Sequence, residues 1–95
     1  MAFRQSRDMT ITHKDFFRLL PRALNGLEYS VSGKEVTVID GAKQVYIRIS
    51  DEGVRQLASV KFPRTEVEIE LLGFNDAEAG RFIARFDLAY QKGGG

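Results

Sequence analysis

One short segment constrains the fold more than any other part of the chain. From Glu66 to Leu71, glutamate and apolar side chains alternate without interruption. Successive side chains of a β-strand point to opposite faces, so this pattern predicts a strand with one buried and one solvated face. Because a buried sheet face has to be covered, we expect a two-layer fold in which helices pack on the apolar side.

Three earlier segments also alternate polar and apolar side chains, at residues 27–32, 35–38 and 44–49. The turn-rich connections Ser32-Gly33-Lys34 and Asp40-Gly41 join them and predict an antiparallel meander. A longer connection leads to the strand at 65–71. This connection has room for a crossover helix, so we expect the fourth strand to lie parallel to the third in a mixed sheet.

A first helix is predicted at residues 13–24. Thr12 is a suitable N-cap, and Asn25-Gly26 supplies a stop. Pro21 removes one intrahelical hydrogen bond and is expected to kink or break this helix. The apolar stripe consists of Phe16, Phe17, Leu20 and Leu24.

Two more helices are predicted. Ser50 precedes a short helix at 51–60 whose inward residues would be Val54, Leu57 and Ala58. Asn75 and Glu78 have capping-box spacing and begin the last helix. Its stripe consists of Ala79, Phe82, Ile83, Phe86 and Tyr90.

The predicted order is therefore α-β-β-β-α-β-α, an α+β fold with three helices on one face of a four-stranded mixed sheet. Residues 1–9 show no period and are predicted to be a flexible N-terminal arm. Residues 10–92 form the single domain, and 93–95 form a glycine tail. The open sheet face is expected to carry Thr37, Ile39, Tyr46, Arg48, Glu66, Glu68 and Glu70.

Composition excludes several classes of function. The chain has no cysteine, which rules out disulfides, thiolate catalysis and cysteine metal sites. The lone histidine, His13, offers no metal-ligand spacing and no convergent nucleophile. We therefore expect no metal, no cofactor and no enzymatic activity. No apolar run reaches the roughly 20 residues of a transmembrane helix, so we expect a cytoplasmic protein without membrane contact.

Arginines suggest one alternative function. Arg18 and Arg22 are spaced to share a helix face, and with Arg55 and Arg64 they could form an anion-binding or nucleic-acid-binding patch. Against this, the net charge is only +1 and no aromatic residues interleave with the basic ones. The opening part of the predicted order, α-β-β-β-α, also resembles the double-stranded-RNA-binding domain. Asp51 and Glu52 stand where that family has lysines, so nucleic acid is not the favoured partner.

The terminal glycines suggest another alternative. Small carrier proteins of the ubiquitin-like type end in Gly-Gly, and this chain ends in Gly93-Gly94-Gly95. Those families end in a strand, whereas the glycines here follow a predicted helix. A helix C-cap is the simpler interpretation.

Three segments together resemble a known family: FFRLLPRALNG, VRQLASVKFPRTEVEIELLGF and FIARFDLAYQKGGG. In this order they resemble a family of small, uncharacterised bacterial proteins, over most of residues 10–95. The resemblance implies an α+β domain of bacterial origin and brings no activity, cofactor or binding residue.

The favoured interpretation is a non-enzymatic module that binds a protein partner or a second copy of itself. Small two-layer domains use an open sheet face or an edge strand for such contacts. Tyr46 and Arg48 on the open face, together with the arginines Arg18, Arg22, Arg55 and Arg64, are the candidate binding residues.

Overall fold

A computed structural model describes residues 2–93 as a two-layer α+β fold with six strands and two helices. The strand order is β1-β6-β4-β3-β2, every pairing is antiparallel, and β5 pairs with the first part of β6. The elements are β1 (Ala2–Met9), α1 (His13–Ala23), β2 (Ser30–Ser32), β3 (Glu35–Asp40), β4 (Lys43–Ile49), β5 (Gly53–Leu57), β6 (Val60–Leu72) and α2 (Asp76–Gly93).

The long strand β6 organises the sheet. Its later part lies between β1 and β4, and its first five residues pair with β5. Since Ile49 lies opposite Val67 and Gly53 opposite Arg64, the chain from β4 to β5 contains one residue more than the facing part of β6. This extra residue is a β-bulge, and the Ser50 amide next to it donates to the Glu66 carbonyl at 2.9 Å.

The prediction of a helix at 51–60 is wrong, because β5 and its turn into β6 occupy this segment. Val54, Leu57 and Ala58 fit a helical stripe, but so short a stripe cannot be distinguished from a strand by spacing alone. Without that helix no crossover exists. The fourth predicted strand therefore runs antiparallel to its neighbour rather than parallel, and it extends from Val60 to Leu72.

The flexible arm predicted at residues 1–9 is also wrong for its described part. Ala2–Met9 forms β1, and all eight residues pair with β6. The sequence of β1 does not alternate between polar and apolar residues, because the polar Gln5 and Arg7 lie on the same sheet face as Phe3 and Met9. Arg7 is accommodated there by Asp87 of α2, which accepts two hydrogen bonds of 3.0 Å from its guanidinium.

The predicted helix ends are confirmed. The Thr12 hydroxyl accepts from the Asp15 amide at 3.1 Å, and Asn75 and Glu78 exchange the two hydrogen bonds of a capping box. Pro21 does not break α1, which continues to Ala23. The meander of β2, β3 and β4 is confirmed as well, although β2 is shorter than expected and all of it is exposed.

The core lies between the helices and the inner sheet face. An aromatic group joins the two helices: Phe16 of α1 stacks on Tyr90 of α2 at 5.2 Å, and Phe86 lies 4.8 Å from Tyr90. The Tyr90 hydroxyl donates to the Phe16 carbonyl at 2.8 Å. The sheet contributes Val36, Val38, Val45, Ile47, Ile49, Val67, Ile69 and Leu71, all buried.

Gly73 permits the close approach of the β3–β4 turn to the end of β6. Its φ is +79°, and an added Cβ would lie 2.2 Å from the Ala42 carbonyl oxygen. We expect Gly73→Ala to lower the free energy of unfolding by at least about 3 kcal/mol, since overlap adds to left-handed strain. Equilibrium urea denaturation measures this loss.

Gly26→Ala is the matched control for that substitution. Gly26 has the same φ of +79°, but an added Cβ there meets nothing within 4 Å. Only the conformational cost of about 1 kcal/mol is expected. Equal losses for the two variants would contradict the proposed overlap at Ala42.

Burial raises the pKa of the Tyr90 phenol well above its usual value. Below about pH 10 the phenol is neutral in both states, so it adds no pH dependence. Above that pH only the unfolded chain releases the proton, and stability falls by up to about 1.4 kcal/mol per pH unit.

Tyr90→Phe separates this effect from the hydrogen bond. Below pH 10 the variant should lose about 1 kcal/mol with the bond to Phe16. That deficit should shrink as the pH rises further, since phenylalanine has no proton to lose. Denaturation of both proteins from pH 8 upward tests this, and a deficit independent of pH would contradict it.

Candidate functional site

The sheet face opposite the helices is open, as the alternation predicted. None of the side chains assigned to it is buried, and Ile39 is 67% exposed. The Tyr46 hydroxyl donates to Gln44 Oε1 at 3.0 Å on this face. The seven residues are Thr37, Ile39, Tyr46, Arg48, Glu66, Glu68 and Glu70.

Charges on this face are paired across strands. Arg48 lies 3.6 Å from Glu35 on β3, and Arg4 of β1 lies 3.1 Å from Glu70. Arg48 also lies opposite Glu68 in the β4–β6 register. Lys43 pairs with Glu78 of α2. The counter-ion of Glu70 was missed because it comes from the segment predicted to be an arm.

Two of the predicted binding arginines meet at one carboxylate. Arg55 of β5 and Arg64 of β6 donate to Asp8 of β1 at 2.5 and 3.0 Å. Arg64 also donates to Glu66 at 2.6 Å. The Asp8 and Glu66 carboxylates raise the pKa of the Arg64 guanidinium. These arginines are therefore already engaged by carboxylates of the same chain.

The other two predicted arginines lie on α1. Arg18 is 3.3 Å from Asp15 one turn earlier, and Arg22 occupies the last turn. In residues 2–91 no hydrogen bond or ion pair connects Arg18 or Arg22 with the pair at Asp8. The four arginines therefore lie at two separate places, one pair at Asp8 and the other on α1, and do not form one patch.

A depression of about 500 Å³ lies on the open face where β1, β6 and β4 meet. Arg7, Arg48 and Arg64 line it together with Asp8, Glu66 and Glu68. Three carboxylates against three guanidiniums give no excess positive charge. A polyanion would therefore meet repulsion as well as attraction in this depression.

An exposed apolar surface on the β5–β6 hairpin was not anticipated. Leu57 and Val60 are opposite one another and are 59% and 51% exposed. Phe62, on the same face by alternation, is 37% exposed. The turn residue Ala58 has a φ of +56°, a conformation that favours glycine. The sequence contains these apolar residues, but the predicted helix at 51–60 placed Leu57 on its buried side, so the exposed surface was missed.

His13 has a structural role at the start of α1. Its Nε2 lies 2.8 Å from the Ser50 carbonyl, and its amide donates to the Glu52 carboxylate at 2.8 Å. These contacts fasten the helix to the bulge between β4 and β5. Within residues 2–91, His, Asp and Glu side chains form no cluster suited to a metal ion.

Comparisons with protein-family models, curated proteins and solved structures give no match for this chain. The resemblance to small bacterial proteins therefore stays a prediction. Neither helix in residues 2–93 has the length and apolar character needed to cross a membrane. The helix α2 extends to Gly93, whereas Gly94 and Gly95 lie outside the described residues, so the carrier hypothesis also remains a prediction.

Asp8→Asn tests whether that carboxylate withholds Arg55 and Arg64 from anions. We expect the variant to bind a single-stranded oligonucleotide at low salt more tightly than the native chain does, because two guanidiniums lose their shared counter-ion. Asp51→Asn is the control, since it changes net charge equally but removes the partner of Lys34. Fluorescence anisotropy measures the affinity of each variant for the oligonucleotide. Equal affinities would contradict the hypothesis that Asp8 withholds the two arginines from anions.

Proposed function

We propose that this chain is a non-enzymatic module that binds another protein through the apolar face of the β5–β6 hairpin, formed by Leu57, Val60 and Phe62. The observation that carries the proposal is their exposure in water on one face of a hairpin. Burial of apolar side chains stabilises a complex by roughly 25 cal/mol per Å² removed from water. A clustered exposed patch of this kind is typical of a contact surface.

The chemistry of the partner follows from what the hairpin leaves available on this face. Arg55 and Arg64 are held by Asp8 and Glu66 of the same chain, so the apolar side chains are left to contact a partner. A matching surface would therefore present apolar side chains of its own.

The hairpin is also prepared for binding. Five residues of β5 pair with β6, and Asp8 holds Arg55 and Arg64 at the base of the hairpin. A surface that is already ordered loses less conformational entropy when it binds. This supports a binding role for the hairpin over that of a passive connection.

The test compares three proteins as affinity baits in an extract of the cells that make the protein. The native chain and a Val31→Ser/Ile39→Ser control, which removes exposed apolar residues elsewhere, should retain the same partner. Leu57→Ser/Phe62→Ser should lose it. With the purified partner, Phe62→Ser should weaken binding by about tenfold or more, as is usual for a central aromatic contact.

Two outcomes would refute this surface. In one, the hairpin variant retains every protein that the native chain retains. In the other, the purified partner binds the Phe62→Ser variant and the native chain equally. Circular dichroism of each variant checks that the fold is retained.

A further inference from the structure

The strand β1 forms one edge of the sheet, and its outer side has no partner in residues 2–93. It pairs with β6 over eight residues. In an antiparallel ladder every second residue directs its N–H and C=O groups away from the paired neighbour. The outer side of β1 therefore presents a row of backbone donors and acceptors that a further strand can satisfy.

The two edges of the sheet differ in this respect. The opposite edge, β2, has only three residues, and a short edge strand offers little for another chain to pair with. β1 is longer and contains no proline. Its charged residues are already bound within the chain: Arg4 to Glu70, Arg7 to Asp87, and Asp8 to Arg55 and Arg64.

The amino-acid order of β1 is complementary to itself when two copies run antiparallel. With Ser6 opposite Ser6, Arg4 lies opposite Asp8 and Phe3 lies opposite Met9. Opposite residues share a sheet face, so the ion pairs form on the open face and the apolar pairs form beneath the helices. If each strand shifts by one residue so that Gln5 lies on the axis, Phe3 lies opposite Arg7. Both the ion pairs and the apolar pairs are then lost.

The ion pairs would also continue the charge pattern of each sheet. Within one chain Glu70 binds Arg4, and Asp8 binds Arg64. Across the new pairing Arg4 meets the other copy's Asp8, so the ion-paired groups alternate in sign from Glu70 of one copy to Arg64 of the other. This complementarity is specific to a second copy of the same strand.

The helix layer leaves space on this side of β1. A depression of about 400 Å³ lies beside Phe3 and Gln5, and one of about 470 Å³ lies beside Arg7 and Met9. Residues of α2 form the other wall of each depression. A second copy in the Ser6 register places its Met9 next to the first depression and its Phe3 next to the second. The lining from α2 comprises Asp76, Ala79, Gly80, Ile83 and Ala84 in the first, and Asp87, Tyr90 and Gln91 in the second.

We propose that two copies of this chain associate by antiparallel pairing of β1 with β1, with Ser6 on the two-fold axis. The pairing joins the two sheets into one continuous sheet, and the Phe3 and Met9 side chains of each copy fill the depressions of the other. This interface uses none of the apolar residues of the hairpin. It goes beyond the proposed function, and each can fail without the other.

A single cysteine tests the axis, because the chain has no cysteine of its own. Opposite residues in an antiparallel pair have Cα atoms about 4.5–5.5 Å apart, which suits a disulfide. Ser6→Cys should therefore form a disulfide dimer under mild oxidation. Ser32→Cys on the β2 edge, also an exposed position, is the control. Pairing should make the Ser6→Cys dimer form about tenfold faster or more, through its high effective concentration.

A mixing experiment tests the register. Arg4→Cys and Asp8→Cys proteins should crosslink with each other faster than either does with itself, since the proposed register places these positions opposite one another. Non-reducing electrophoresis follows both reactions. Sedimentation equilibrium of the native chain should show a dimer, and Leu57→Ser/Phe62→Ser should leave that dimer unchanged.

Each of these measurements can overturn the proposal. If the native chain sediments as a monomer at every concentration, over a 100-fold range up to its solubility limit, the dimer is excluded. That result would favour an extended segment of another protein as the partner of this edge. Ser6→Cys that crosslinks no faster than Ser32→Cys would exclude the axis. Self-crosslinking of Arg4→Cys that matches its reaction with Asp8→Cys would exclude the register.

Discussion

The pairing of β6 with three other strands is the interaction on which the rest of the structure depends. Its thirteen residues bond to β1 on one side and to β4 and β5 on the other. Each backbone hydrogen bond contributes only about 1 kcal/mol net, so the ladder is strong because it is long and because Val67, Ile69 and Leu71 are buried beneath the helices. Loss of this strand would leave β1 and β5 without partners.

The length of β6 also creates the surfaces that are available for binding. Its later part is flanked on both sides and covered by helices, whereas its first five residues have a partner only in β5. The molecule is correspondingly elongated, with extents of 47 × 26 × 22 Å. Apolar residues on the hairpin therefore stay in water, and β1 ends the sheet on the other side. Hairpin and edge strand are two consequences of one long strand.

Charge has a local role in this protein. Arg7 binds Asp87, Arg4 binds Glu70, and Asp8 binds two guanidiniums. Exposed ion pairs of this kind contribute about 0–1 kcal/mol each, so they specify which segments lie together more than they stabilise the fold. Because these arginines are occupied, apolar side chains and backbone groups are the better-supported means of recognition.

Local sequence signals predicted a substantial part of the fold. The alternation from Glu66 to Leu71 predicted a strand and its polar face, and the caps at Thr12 and Asn75 predicted two helices. These features depend on residues that are close together in the chain, so their periodicity and capping hydrogen bonds can be predicted from the sequence. The open face with Tyr46 and Arg48 followed from the same alternation.

What depended on distant residues was not predictable in this way. β1 lies in the sheet because Arg7 meets Asp87 and because β6 supplies its hydrogen bonds. Residues 53–57 are extended because the same strand continues past the bulge. The arginines separated into two settings because Asp8 reaches both Arg55 and Arg64. The sequence by itself determined which segments are amphipathic; tertiary structure alone decided their partners, since pairing energy comes from residues far apart in the chain.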